Sequence, residues 1–349
     1  YASKAAGFSF LLHSLPIVIF FSALVSMFYH WGIIQKVVGA FAWVLRKFMN
    51  ISGSEGLVAA GNNFYGNDRI SCVDQELPAD NESFGDTFLV MVSGMGTIAG
   101  SVMGTYIGML GGTDPAAKVL FATHLLSASV MAVPGSIVLA KMLCPQTEEA
   151  TDHVAISGKE KENSNILDAI SSGTVTGVKL MTNIAAMLLV FISLVALANY
   201  ITEGVIGRYT GLNDWIVKIT DGKAQGLTFQ FILGVITSPF MWLIGVPSQD
   251  IMLVGSLLGQ KTILNEFVAY FQLQQWKDAG LFMYEKSILM STYILCGFAN
   301  ISSIGILLGG LGVLAPEKRG LISRIGVPAM IGGALVSVLS ATIIGMILG

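Results

Sequence analysis

Seven apolar stretches recur along the chain: Leu15–Ile34, Phe88–Leu110, Val119–Leu143, Ile184–Ala198, Leu227–Ile244, Ile288–Leu314 and Ile325–Leu348. Each is close to the roughly 20 residues that a helix needs to cross a bilayer core. The run 184–198 is short alone and reaches that length when the weakly polar stretch from Thr176 joins it. Backbone N–H and C=O groups find no water in lipid, so such segments must close their hydrogen bonds internally, as helices do. The pattern predicts an all-α polytopic membrane protein.

The polar positions divide these runs. Gln35–Met49 is amphipathic, with Lys36, Arg46 and Lys47 on its polar side, and its spacing predicts a helix lying at the membrane interface. Charge gathers in Pro145–Asn165, Glu203–Lys223 and Pro316–Arg324. Basic residues favour the cytoplasmic side. With Arg46 and Lys47 inside, Gly111–Ala117 falls outside, 145–165 inside, 203–223 outside and 316–324 inside. The order closes only if two segments, near 53–66 and 246–270, each enter and leave on one side. Gly and Asn interrupt the first, and Gly, Pro, Asn and Gln the second. Irregular backbone at membrane depth is tolerated where it is buried in protein or lines a cavity, so both read as re-entrant hairpins.

An internal repeat supports that reading. Gly94–Gly100 (G-M-G-T-I-A-G) resembles Gly297–Ser303 (G-F-A-N-I-S-S). Each copy follows a polar-interrupted hairpin, opens a Gly-rich half-helix and precedes one more span; on the topology above the two units run in opposite directions. Paired, interrupted segments in an inverted repeat point to the binding site of a secondary transporter. The expected organisation is a scaffold span and interfacial helix (1–50), a first repeat (51–145), a charged loop, span and outer loop (146–226), and a second repeat (227–349).

Composition narrows the function. The chain of 349 residues is 53% hydrophobic and 12% charged, about half the charged fraction of a soluble domain. A net charge of −3 gives no reason to expect nucleic acid. Cys72, Cys144 and Cys296 show no metal-ligand spacing, and Cys296, inside an apolar run, reads as a packed thiol. There is no nucleophile–base pair, zinc spacing or phosphate loop, so neither an enzyme nor a cofactor is expected. The chain starts at Tyr1 with an apolar run close behind, and a missing natural N-terminus is expected.

Within this apolar background Glu266 stands out. A carboxylate at membrane depth is costly and by default marks a substrate, ion or proton path. Asn265, Asn300 and Ser303 are candidate partners. A carboxylate beside a carboxamide both accepts and donates, which suits a polar, uncharged ligand with vicinal hydroxyls or a ring amide. Asn300 and Ser303 share a face if their segment is helical, and Phe298 can stack on a flat ring. On the other repeat, Asn62, Thr97 and the backbone at Ile98 offer oxygens without a carboxylate. Such a set suits a sodium ion; the alternative for Thr97 is a bond back to its own helix.

These segments resemble the concentrative nucleoside transporter family. G-V-P-S-Q-D and G-S-L-L-G-Q-K-T-I-L-N-E-F-V-A-Y within 245–270, C-G-F-A-N-I-S-S-I-G at 296–305, F-F-S-A-L at 20–24, G-M-G-T-I-A-G at 94–100 and A-T-H-L-L-S-A-S at 122–129 carry the likeness, which covers nearly the whole chain. It implies a homotrimer in the bacterial inner membrane, each protomer a scaffold with a mobile transport domain. It further implies uptake of a nucleoside with a cation, sodium or proton, of which sodium is the first choice. By motif, Glu266, Phe298, Asn300 and Ser303 would hold the nucleoside, Val102 would line the base side, and Asn62, Thr97, Ile98 and the Tyr65 carbonyl would hold sodium. Two further spans would precede the segment that begins here.

One stretch departs from the family pattern. Asn67–Asp86 carries seven charged residues where the family has a polar hairpin tip. At roughly 2.5–3.5 kcal/mol for each central charge, such a stretch does not sit inside a bilayer. Codons can be chosen for it so that reading one base later spells M-T-E-S-P, the family's tip. A compensated frameshift confined to about residues 67–87 is the expectation. The alternative is a divergent hairpin on a non-transporting paralogue that acts as a membrane sensor or assembly protein.

Overall fold

The fold is seen in a computed structural model, which describes residues 15–49, 51, 55–56, 59–61, 84–98, 100–145, 164–220, 222, 224–314 and 319–349. Among these residues the chain is helical throughout and has no strand. The elements are α1 (Leu15–His30), α2 (Ile33–Met49), α3 (Phe84–Gly96), α4 (Gly100–Gly111), α5 (Pro115–Leu143), α6 (Ile166–Asn199), α7 (Leu212–Ile219), α8 (Phe229–Leu243), α9 (Ile251–Ile263), α10 (Glu266–Asp278), α11 (Glu285–Leu295), α12 (Ile301–Leu314) and α13 (Arg319–Ile347). The expected first hairpin tip, with Asn62, Tyr65 and the charged stretch up to residue 83, lies outside the described residues.

Local sequence sets the helix ends. Asp114 caps α5, accepting from the N–H groups of Ala116 and Ala117, and Pro115 takes the first helical position, where no donor is needed. Asn165 caps α6 through the Asp168 N–H. That cap starts α6 well before the apolar run, and the helix reaches 34 residues, about 50 Å. A π-helical stretch, Tyr200–Gly207, continues it. α2 turns 77° from α1, as an amphipathic helix leaving a span should.

One expected span takes another form. Leu227–Ile244 gives α8, only 15 residues, about 22 Å and short of a bilayer core. α8 runs antiparallel to α9 instead. A Cβ on Gly234 would lie 2.8 Å from the Met252 carbonyl, one on Gly255 2.7 Å from Thr237 Oγ1, and one on Gly259 2.6 Å from Leu233 Cβ. Glycine is what lets the two backbones approach. The second expected hairpin is α9, a break at Leu264–Asn265, and α10, which continues past residue 270 to Asp278.

Two packing units follow from small residues. α6 lies antiparallel on α1, with Gly173 against Ser22 and Ser26 and Gly177 against Ile19 and Ser22. This is a small-xxx-small contact of the kind that joins helices in lipid, where packing rather than the hydrophobic effect drives association. α13 is the axis of the other unit, packed on α3, α5, α11 and α12. Gly332 meets Val92, Gly333 meets Met95, and Gly345 meets Met290. α1 also touches α4, where Gly104 receives the ring of Phe21.

Candidate functional site

Two helices of the α13 unit are broken, and the breaks cross. α3 ends at Gly96, Thr97 and Ile98 are non-helical, and α4 resumes at Gly100. α11 ends at Leu295 and α12 begins at Ile301. Gly297, at φ 139°, occupies the crossing. A Cβ there would stand 2.9 Å from the Gly96 carbonyl, 3.0 Å from the Met95 carbonyl and 2.9 Å from Ser337 Oγ. Both the left-handed φ and the lack of space require glycine.

Beside the crossing, Glu266 opens α10 and is buried. Asn300 Nδ2 donates to its Oε2 at 2.9 Å, and the Tyr106 hydroxyl reaches Oε1 at 3.4 Å. The first nitrogen–oxygen contact is a charge-assisted bond; the second is long. Asn300 is the N-cap of α12. Its Oδ1 accepts from the Ser303 N–H at 2.9 Å and from the hydroxyls of Ser302 and Ser303 at 2.6 and 2.9 Å. With its oxygen held by the helix start, its amide nitrogen is turned to the carboxylate. Asn265 is likewise a cap: its Oδ1 accepts from the Val268 N–H at 2.9 Å. Of the three candidate partners of Glu266, the structure therefore joins Asn300 directly, Ser303 through Asn300, and uses Asn265 to start α10.

Phe298 lies half-buried two residues before Asn300, on the non-helical link. Val102 is buried on α4, one turn before Tyr106. At the first break, Thr97 is buried and its hydroxyl donates to the Ser93 carbonyl at 2.9 Å, leaving its oxygen lone pairs for another partner. Ile98 is fully buried beside it. The proposed sodium ligands Asn62 and Tyr65 fall outside the described residues.

Several residues of this region escaped the sequence reading. Tyr106 stacks on Tyr270 at 4.2 Å between ring centres and lies 5.0 Å from Phe267, so aromatic rings wall the carboxylate. Lys261 is fully buried, five residues before Glu266. The rule that singles out Glu266, an ionisable group kept at membrane depth, applies equally to Lys261. Tyr106 carried no comparable signal, because aromatics are common in apolar helices.

A cavity of about 620 Å³ borders the same hairpin without reaching the carboxylate. Its walls include Asn199, Gln230, Gln249, Ser256, Gln272 and Trp276, and Glu266 and Asn300 are not among them.

Residues 124–345 match the sequence profile described as "Na+ dependent nucleoside transporter C-terminus", and residues 11–113 match one described as "Nucleoside recognition". An uncharacterized transporter of Haemophilus influenzae is 38% identical over 99% of this chain and 78% of its own length. Sodium/nucleoside cotransporter 1 of Rattus norvegicus is 36% identical over 97% of this chain and 51% of its own length. Among solved structures, CNTnw in an inward-facing substrate-bound state superposes with a TM-score of 0.85 at 34% identity, covering 100% of this chain and 78% of that one. A CNTnw variant in an outward-facing state gives 0.87 at 34% identity, covering 99% and 76%. These proteins are membrane transporters, not enzymes. With the transporter profile spanning more than half of the chain and the fold shared along its length, the chain belongs to the concentrative nucleoside transporter family.

Proposed function

We propose that this chain takes up nucleosides across the bacterial inner membrane together with a sodium ion, by alternating access. The observation that carries the reading is the buried Glu266 carboxylate, bonded to Asn300 beside two crossed helix breaks. A nucleoside supplies what this pair lacks. Its ribose hydroxyls donate to the carboxylate and accept from the amide, and its base stacks against Phe298, with Val102 lining the base side. Ligand hydroxyls thus replace the Asn300–Glu266 bond instead of stripping a bare charge, which keeps the buried carboxylate satisfied in both states.

The hairpin formed by α9 and α10 is re-entrant in this reading. Its helices have 13 residues each and meet at Leu264–Asn265, and each spans about 20 Å, too short to cross. Sodium is held at the first break by Thr97, the Ile98 backbone, Asn62 and the Tyr65 carbonyl. The amide-lined cavity beside α10 is a polar approach to the hairpin. Protomers assemble as a trimer, for which the exposed apolar residues of α6, among them Leu189, Ile192, Leu194 and Leu197, supply surface to lipid or to a neighbour.

The test is uptake of uridine and adenosine into proteoliposomes under imposed sodium or proton gradients. Concentrative uptake driven by sodium supports the reading. Uptake driven only by protons replaces the coupling ion, and nucleoside-dependent stabilisation without uptake favours a non-transporting sensor.

A further inference from the structure

Lys261 is the last long polar side chain of α9, and it points into the second break. Its Nζ donates to the Ile294 carbonyl at 2.8 Å and to Ser337 Oγ at 2.9 Å. Ser337 in turn donates to the Cys296 carbonyl at 2.7 Å. An α-helix that stops leaves its last four carbonyls without intrahelical partners and carries roughly half a negative charge at that end. At the end of α11 these carbonyls are shared out. Thr292 O accepts from the Tyr270 hydroxyl at 2.9 Å, Tyr293 O from the Cys296 N–H at 3.0 Å, and Ile294 O from Lys261.

The partners of this ammonium are the informative feature. Its acceptors are uncharged oxygens, a carbonyl and a hydroxyl, at a helix C-terminus. That is the donor chemistry of a hard monovalent cation, not of an ordinary buried ion pair. The first break offers the same kinds of oxygen at Thr97 and the α3 terminus, yet neither α3 nor α4 contains a lysine or arginine. Among the described residues, α9 therefore brings to the second break a cation with no counterpart at the first.

We propose that Lys261 is a built-in cation occupying the second helix break in place of a diffusible ion, and that removing its ammonium turns this break into a sodium site. It is a positioning residue: it fixes the end of α11, and thereby the Gly297–Asn300 link that carries Asn300 to Glu266. The inference rests on the transport reading only for its consequence in uptake, so its primary test is binding.

The test uses the full chain in lipid nanodiscs, with sodium chloride against choline chloride at equal ionic strength. Lys261→Ala opens space for an ion. Its thermal midpoint is expected to rise with sodium by several degrees more than that of the unmodified chain, by mass action on the folded state. Its uptake curve is expected to become sigmoidal in sodium where the unmodified curve is hyperbolic. Lys261→Arg, which keeps a cation, is expected to retain the unmodified sodium order. Lys261→Met, which fills the space without charge, is expected to lose uptake and to gain no sodium response. A folded Lys261→Ala with unchanged sodium dependence overturns the proposal. If Lys261→Ala yields no folded protein in either salt, Lys261→Met decides: normal stability and uptake overturn the proposal, and loss of both supports it. If the unmodified chain shows no sodium-driven uptake, the coupling reading fails, while the stability comparison still decides the role of Lys261.

Discussion

At the first helix break, between α3 and α4, the described polar side chains are hydroxyls: Ser93 donates to the Val90 carbonyl and Thr97 to the Ser93 carbonyl. At the second, between α11 and α12, a fully buried ammonium and a buried carboxylate approach from the two arms of one hairpin, Lys261 from α9 and Glu266 from α10. The two breaks touch at Gly297 and share a backbone plan, but among the described residues one is finished with neutral groups and the other with charge. Like motifs thus mark where the chain stops being helical, and leave open what fills the gap. The proposed division of labour rests on this contrast, with the hydroxyl-rich ligand assigned to the charged break and the free cation to the neutral one.

The strongest way to break this comparison is Glu266→Gln, which is expected to abolish nucleoside uptake with an unchanged size-exclusion profile. Normal uptake by that variant would remove the carboxylate from the site. Next is Gly297→Ala. The left-handed backbone and the carbonyls of Met95 and Gly96 leave a methyl group no room, so a loss of about 1–3 kcal/mol is expected, read as a lowered thermal midpoint with uptake impaired. A tolerated alanine would mean that the two breaks are not in contact.

Asn300→Ala sharpens the contrast. It removes the amide that would donate to a ribose hydroxyl, a neutral hydrogen bond of about 0.5–1.5 kcal/mol, so the half-saturating nucleoside concentration should rise about 2- to 12-fold with little change in the sodium curve. Thr97→Ala should do the reverse, raising the half-saturating sodium concentration. Equal effects of both variants on both ligands would contradict the division. Ser303→Ala should be mildest: its hydroxyl reaches Glu266 only through Asn300, and a neutral hydrogen bond contributes about 0.5–1.5 kcal/mol. Its nucleoside affinity should fall less than tenfold in the same assay.

Restoring T-E-S-P within residues 67–87 bears on the first repeat as a whole. Gain of uptake over the chain as written would support the frameshift reading, and sequencing the coding DNA would check it independently.

The helical membrane class, the sequence repeat and the partnership of Asn300 with Glu266 were legible in the order of residues. They rest on local costs: a 20-residue apolar run has few alternatives to a helix in lipid, and a carboxylate there needs a reason. The breaks were legible too, as glycine and polar residues placed in register in two repeats. What the sequence left open was partnership. Asn265, adjacent to Glu266, reads as its natural companion, yet it caps α10, because an Asn just before a helix satisfies a free N–H at no cost in distance. Leu227–Ile244 reads as a span, yet α8 pairs with α9, because apolar length alone does not distinguish facing lipid from facing protein. Lys261 and Ser337 lie far apart in the chain, and Tyr106 lies on the other repeat from Glu266. Only the crossing of the broken helices brings these groups within hydrogen-bond reach, since a dry interior must satisfy each terminal carbonyl with whatever donor the tertiary fold delivers there.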